Sequence, residues 1–162
     1  MTVTDVVKDP ANRRMTITAE FGAPVERVWQ IWADPRQLER WWGPPTYPAT
    51  VVDHDLSAGG AVNYFMTSPE GDKYAGWWRV SAVAPPRRLE FEDGFADADG
   101  RPNPNMPVTV IAVTLDDRDG GGTRMEITST FATVEAMDQL LAMGMDEGMK
   151  AAMGQIDAIV AA

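Results

Sequence analysis

The sequence predicts an α+β domain in which a curved, seven-stranded antiparallel sheet wraps around a long C-terminal helix, with two short helices after the first strand. Three observations support this class. Segments in which apolar and polar residues alternate recur from residue 13 to residue 131. The period of a helix occurs directly after the first such segment and again at the end of the chain. The 162 residues, 44% of them hydrophobic, are enough for one core.

The N-terminal quarter of the chain contains the first strand and both short helices. Residues 1–12 are expected to be a flexible segment, and residues 13–162 a single domain. Alternation from Arg13 to Phe21 predicts a half-buried strand. In "APVERVWQIWADP" the apolar residues recur at helical spacing, and Pro35 then ends this helix and begins the second, "PRQLERWW".

Six further strands are predicted between Thr50 and Phe131, separated by segments rich in glycine, proline and aspartate. They are "TVVDHDL", "AVNYFMT", "YAGWWRVSAV", "LEFED", "VTVIAVTLDD" and "TRMEITSTF". Alternation assigns one face of each strand to the interior. The expected inward residues are Val52, His54, Leu56, Val62, Tyr64, Met66, Trp78, Val80, Ala82, Leu89, Phe91, Val108, Val110, Ala112, Met125, Ile127 and Phe131.

The C-terminal helix is expected to cover this apolar face, beginning after Thr133 as N-cap and running almost to the end of the chain. Five of the ten methionines lie between residues 137 and 156, with three glycines among them. Methionine side chains have poorly defined rotamers and adapt to irregular partners, whereas a well-packed core favours leucine and isoleucine. We therefore expect a cavity between helix and sheet, although methionines that only fill an irregular core are the simpler alternative.

Composition and charge exclude several classes of function. The formal net charge of −10, from 24 acidic and 14 basic residues, disfavours nucleic acid and anionic membranes as partners. The absence of cysteine and the single histidine leave no common metal site, and no phosphate-binding or dinucleotide motif is present, so we expect neither metal nor cofactor. No signal peptide or membrane-spanning run is apparent, which predicts a soluble, cytoplasmic protein.

Two inward polar residues could carry chemistry. His54 would titrate near neutral pH as a general acid or base, or it could be a histidine at the core edge that bonds the backbone. Tyr64 could orient a ligand or act as a proton donor, or simply be a buried aromatic residue. The long acidic loop "DGFADADGRPNPN" is either a flap over the cavity or a solvated connector. Trp77, on the outer face, favours a partner surface such as a homodimer interface.

Four motifs occur together and in order: "WWGPP", "DLSAGG", "PPRRLEF" and "GGGTR". With the order of strands and helices, they resemble the activator of Hsp90 ATPase homologue 1-like family of the START-like superfamily, also called SRPBCC, helix-grip or Bet v 1-like. The resemblance covers about residues 13 to 160. It implies the helix-grip fold, with a hydrophobic pocket between sheet and helix. Relatives often have Gly-Trp in the last helix where this chain has Gly148-Met149, which implies a roomier pocket.

The favoured function is binding of a small hydrophobic or aromatic molecule, without catalysis. The expected ligand-binding residues are Trp42, His54, Tyr64, Met66, Trp78, Phe91, Val110, Met137, Leu141, Met145 and Met149. The first alternative is a cyclase, dehydratase or hydrolase-like enzyme that uses His54 or Tyr64 in the same pocket. The second is an Hsp90-type co-chaperone or stress-response module, which the family name suggests but which the single grip domain does not favour.

Overall fold

The computed structural model describes residues 3–161 and contains one large antiparallel sheet with helices on one side. No helix in that range combines the length and the apolar character needed to cross a membrane. The elements, in chain order, are β1 (Val3–Asp9), β2 (Arg14–Phe21), α1 (Val25–Ala33), α2 (Pro35–Leu38), β3 (Ala49–His54), β4 (Ala61–Thr67), β5 (Lys73–Ala84), β6 (Arg88–Phe95), β7 (Thr109–Arg118), β8 (Gly122–Phe131), α3 (Val134–Ala142), α4 (Met145–Met153) and α5 (Ile156–Val160).

The sheet has eight strands rather than the predicted seven. Its order is β1-β2-β8-β7-β6-β5-β4-β3, and every neighbouring pair is antiparallel. The additional strand, β1, lies within the segment that we expected to be flexible, and Met1 and Thr2 lie outside the described residues. The sequence of β1 does not alternate because it is a largely exposed edge strand, which pairs with β2 only.

The two short helices follow β2, the second strand of the sheet, rather than the first. Trp29 and Trp32 of α1 are buried in the core with its other apolar residues. The Asp34 side chain accepts a hydrogen bond from the backbone N–H of Arg36 and so caps α2. Helix α2 ends at Leu38, and the remainder of the predicted helix forms turns that bring Trp41 and Trp42 into the core.

The predicted long C-terminal helix is divided into three pieces. Gly144 adopts a φ of 87°, a left-handed conformation that stops α3 and begins α4, and a turn at Gly154 separates α4 from α5. Both ends of this C-terminal segment are anchored, because Met137 in α3 and Met153, Ile156 and Ile159 beyond it are fully buried. The middle of the segment, from Leu141 to Met149, is only partly buried.

Three strands present faces that the sequence did not predict. In β5 a register shift between Val80 and Ala82 leaves Ala82, which was expected to face inward, exposed. In β3 a bulge between Val51 and Asp53 places Val51 inside and leaves Val52 61% exposed, while His54 again faces inward opposite Val62. In β7 the interior residue is Ile111, which pairs with Phe91, and Val110 is 38% exposed on the outer face. The run "VTVIAVTLDD" is apolar on both faces of its central part, so alternation could not decide its orientation.

An ion pair joins the edge strand to the C-terminal segment. Lys8 Nζ lies 2.7 Å from Asp146 Oδ2, in the first turn of α4. The hydrogen bond from Lys8 lowers the pKa of Asp146. Because a lowered pKa favours the folded state only where the carboxylate is ionised, this contribution is present above pH 3.8, the ordinary pKa, and is lost as the pH falls through the lowered pKa.

Replacing Lys8→Met should therefore reduce the free energy of unfolding by about 0.2–1 kcal/mol at neutral pH, the range for partly exposed pairs. The difference should vanish in strong acid, where Asp146 is protonated. Urea denaturation at both pH values measures this effect. Lys150→Met, which removes a more exposed pair with Glu147, is the matched control and should have a smaller effect. An equal loss in both variants would contradict the role of the Lys8 pair.

Candidate functional site

A cavity of about 1320 Å³, partly open to solvent, includes the space between the sheet and the C-terminal segment. Its lining combines apolar residues of β4 to β7, the turn after Trp42, the loop after β6 and the middle of the C-terminal segment. Neighbouring residues of one strand point to opposite faces of the sheet. The lining includes such neighbours, for example Tyr64 and Phe65, so part of this volume lies outside the concave face. We call the inner part, on the concave face of the sheet, the chamber.

The chamber is the space on the concave side of the sheet. We define it by the lining residues that share the inward face with Tyr64, together with those of the turn after Trp42, those of the C-terminal segment, and Asn103 and Met106 of the loop after β6. They are Trp42, Pro44, Tyr47, Tyr64, Met66, Tyr74, Gly76, Asp93, Phe95, Asn103, Met106, Thr109, Ile111, Leu140, Met143, Gly144, Met145, Gly148 and Met149.

Glycine and methionine give the helical wall of the chamber its shape. Around Gly148 a Cβ atom would meet no other atom within 4 Å, so the chamber extends up to the backbone of α4. Met145 and Met149 flank this opening and are only partly buried. The two ends of the C-terminal segment are fully buried in the core, whereas Leu141, Met145 and Met149 in its middle pack against the core only in part.

The opposite wall contains a hydrogen-bonded pair of polar side chains. The Tyr64 hydroxyl of β4 donates to Asp93 Oδ1 of β6 at 2.8 Å, so the tyrosine ring crosses the intervening strand β5. It crosses at Gly76, its partner in the sheet, where any Cβ atom would overlap the tyrosine hydroxyl. Gly76 is therefore required for this pair. Asp93 faces the chamber because it pairs with the buried Trp78.

The apolar surroundings change the protonation of this pair. Burial raises the pKa of Asp93 from 3.8 to about 7, although the hydrogen bond from Tyr64 and the nearby indole N–H of Trp78 act in the opposite direction. Burial, and then the charge of Asp93, raise the pKa of Tyr64 well above 10.0. At neutral pH the tyrosine is therefore a neutral donor, and the carboxyl group is divided between its protonated and ionised forms.

Aromatic rings of the core lie next to the Tyr64–Asp93 pair. Trp78 stacks on Phe91 with ring centroids 3.9 Å apart, and Trp42 meets Trp78 edge to face at 4.8 Å. The indole N–H groups of Trp42 and Trp78 are buried and have no hydrogen-bond partner of good geometry among residues 3–161. Both nevertheless lower the pKa of Tyr64, and Trp78 also lowers the pKa of Asp93. Within residues 3–161, the surroundings of the pair thus contain hydrogen-bond donors but no cationic side chain in contact with it.

The expected ligand-binding residues fall into two groups. Five of them line the cavity: Trp42, Tyr64, Met66, Met145 and Met149. Of the others, Trp78, Phe91 and Met137 are buried in the core behind its walls, and Leu141 packs partly against that core. Val110 lies on the outer face, because its neighbour Ile111 is the interior residue of β7.

His54 is also not part of the cavity lining. Its Nε2 lies 3.0 Å from the backbone oxygen of Trp32, at the end of α1. This position agrees with the alternative interpretation, a histidine at the core edge that bonds the backbone. Of the two tryptophans whose roles the sequence left open, Trp41 is fully buried and donates to the Ile31 oxygen, whereas Trp42 reaches the chamber.

Asp93 was missed by the sequence analysis. It lies at the end of "LEFED", which reads as the polar end of a strand followed by a loop. Its inward orientation follows from the alternation after Leu89 and Phe91, so strict continuation of that pattern would have found it.

The rim of the chamber is unusually apolar. Met143 is 59% exposed, and Tyr74 and Tyr47 are 57% and 37% exposed with ring centroids 6.1 Å apart. The acidic loop contributes to the same side and is folded on itself, because Asp97 Oδ1 accepts backbone hydrogen bonds from Asp99 and Arg101. An exposed apolar rim around a cavity is typical of a ligand entrance.

Two other predicted features have local explanations. Trp77 covers Gly94 on the outer face and donates to the Phe95 oxygen at 3.1 Å, so its position does not require a partner protein. Within residues 3–161, no group of three or more metal-ligating side chains is placed to hold a metal ion.

Comparison with known proteins agrees with this architecture. Residues 22–161 match the family model described as activator of Hsp90 ATPase homolog 1-like protein. Protein Ms6760 from Mycobacterium smegmatis is 55% identical, with 97% of this chain and 96% of that chain covered and a TM-score of 0.89. A protein from Arthrobacter aurescens is 49% identical, with coverages of 99% and 92% and a TM-score of 0.95. No curated protein matches the sequence.

Proposed function

This chain belongs to the activator of Hsp90 ATPase homologue 1-like family, and from that premise we propose that it binds a small hydrophobic or aromatic molecule in the chamber. The START-like fold of this family commonly binds hydrophobic ligands. The proposed partner is thus a small apolar molecule. We propose it as the function of a cytoplasmic protein that acts without a metal or cofactor.

One observation carries this proposal: the chamber remains open beneath α4 although the same helical segment is tightly packed at both ends. A segment whose only role was to close the core would fill this space with larger side chains, because interiors are close-packed. Methionines on one wall and aromatic rings on the other provide apolar contact for a guest.

Gly148→Phe should block this binding, because a side chain at this position would project into space that is now open. We expect at least a tenfold loss of affinity for 2-naphthol, measured by isothermal titration calorimetry, with no loss of stability. Gly148→Ala is the matched control: it should raise the free energy of unfolding by about 1 kcal/mol, the helix-propensity difference, and leave binding nearly unchanged.

A bound molecule should also stabilise the folded state. At about 100 times its dissociation constant, a ligand adds about 2.7 kcal/mol. Native mass spectrometry of the purified protein tests whether it retains a hydrophobic guest. Equal affinity of the wild type and Gly148→Phe for 2-naphthol would contradict binding in the chamber.

An enzyme that uses the same chamber is the second candidate, and the Tyr64–Asp93 pair favours it. A carboxyl group with a pKa of about 7 can give or take a proton at neutral pH, and Tyr64 can donate a hydrogen bond to a carbonyl oxygen. His54 is less suited to this role because it is not part of the cavity lining and contacts the Trp32 backbone at the core edge. Turnover that Tyr64→Phe and Asp93→Asn abolish, with the substrate still bound, would favour the enzyme.

The co-chaperone alternative rests on the family name alone. It requires a complex with an Hsp90-type chaperone that forms equally well when Gly148→Phe fills the chamber. Pull-down and ATPase measurements with both forms test it.

A further inference from the structure

The chamber contains a carboxyl group without a cationic partner. Asp93 Oδ1 accepts a hydrogen bond from Tyr64, the indole N–H of Trp78 is a second donor near the carboxyl group, and no Lys, Arg or His side chain within residues 3–161 pairs with it. A carboxyl group in apolar surroundings is normally paired with a cation, because isolating its charge from water is costly. The partner that the protein lacks is therefore a group that a ligand can bring.

The other charged groups of the cavity do not take this role. Lys73 and Asp53 project from the outer face, where Lys73 Nζ lies 4.6 Å from the centre of the Phe65 ring and Asp53 accepts a hydrogen bond from Asn63. Asp97 and Asp99 lie on the loop at the rim. Tyr64 is the titratable group in contact with Asp93, and α3 and α4 contribute apolar side chains and glycine to the lining. Cations are therefore favoured in the chamber and anions are repelled.

Two donors partly offset the cost that burial imposes on ionised Asp93: the Tyr64 hydroxyl, which donates to Oδ1, and the nearby indole N–H of Trp78. Neither that N–H nor the N–H of Trp42 has another hydrogen-bond partner within residues 3–161. Rings of Trp42 and Tyr64, 6.1 Å apart, also offer aromatic faces to a cation. These groups are held rigidly by the core, so little reorganisation is needed when a charge enters.

We propose that the chamber selects apolar or aromatic molecules that carry a protonated amine, and that Asp93 is their counter-ion. This inference rests on the proposed function, because it names the class of molecule that the chamber holds. The apolar body contacts the methionines of α4, and the ammonium group donates to the carboxylate of Asp93. Alkyl carboxylates and phosphates are excluded by the same carboxylate.

Three probes of matched shape test this selectivity: 2-(1-naphthyl)ethylamine, 2-(1-naphthyl)ethanol and 1-naphthylacetate, titrated calorimetrically into the full-length protein at about pH 8. The amine should bind at least about tenfold more tightly than the alcohol, as expected for a charge-assisted hydrogen bond, and the carboxylate should bind most weakly. Between about pH 6 and pH 8 the amine affinity should rise, because Asp93 must lose its proton before the pair forms.

Asp93→Asn should remove the advantage of the amine over the alcohol while both still bind. Asp53→Asn, which changes the net charge equally from the outer face, is the control and should keep that advantage. Equal binding of amine and alcohol to the wild type, or an advantage that survives Asp93→Asn, would overturn the inference and leave the proposed function intact. If none of the three probes binds, the proposed function itself fails.

Discussion

Asp93→Asn is expected to gain stability relative to the wild type by roughly 2–4 kcal/mol as the pH rises from about 4 to about 8. The folded state raises the pKa of Asp93 from 3.8 to about 7, chiefly by burial. Between these two values the folded chain keeps a proton that the unfolded chain has released. Stability is therefore highest below the unfolded pKa and is lost as the pH rises through the folded pKa. Asparagine stays neutral and avoids this loss.

Chemical denaturation of both proteins across this pH interval measures the effect. Tyr64→Phe provides a second variant. It removes a hydrogen bond that lowers the pKa of Asp93, so this variant should continue to lose stability at pH values above those at which the wild type stops losing it. Parallel stability profiles of the wild type and Asp93→Asn would contradict the raised pKa of Asp93 in the folded state.

Gly76→Ala is expected to destabilise the protein by about 1–3 kcal/mol, the usual cost of overpacking a core. The added methyl group would occupy the position of the Tyr64 hydroxyl, and this ring is confined by Trp42 and Trp78. Tyr64 must move, and its hydrogen bond to Asp93 is lost. Binding of 2-(1-naphthyl)ethylamine should weaken together with stability.

A double-mutant cycle separates this effect from a general cost of alanine in a strand. In a Tyr64→Leu background, Gly76→Ala should cost much less, because the overlapping hydroxyl is absent. Gly94→Ala is the matched control: its methyl group would overlap the Trp77 ring on the outer face, so it should destabilise the protein but spare amine binding. If Gly76→Ala costs the same with and without Tyr64, the close approach of these residues is not the cause.

Much of the architecture could be predicted from periodicity. The strands from Thr50 to Phe131 are β3 to β8, and the family and the α+β class follow from motifs in order. Edge strand β1 was not predicted because half-exposed edges carry little alternation. The bulge at Val52 and the orientation of β7 were missed for a different reason, since register depends on pairing with neighbouring strands rather than on local composition.

Met145, Met149, Tyr64 and Trp42 were predicted to bind a ligand; they line the cavity, and their role in binding stays a prediction. His54 drew attention because it is the only histidine, yet its position against Trp32 belongs to the core edge. The decisive pair requires a tyrosine of one strand to reach an aspartate two strands away. Such a contact is a property of tertiary structure: alternation after Leu89 and Phe91 indicates an inward Asp93, but nothing local pairs it with Tyr64 across Gly76.

The central claim is that the space beneath α4 is a binding chamber, and its most direct test is the location of a bound probe. We would soak crystals with 2-(4-bromo-1-naphthyl)ethylamine and measure anomalous scattering at the bromine absorption edge. A bromine peak between α4 and the concave sheet face, absent from Gly148→Phe crystals, is the predicted result. Bromine only on the outer surface, or the same inner peak in Gly148→Phe, would contradict it.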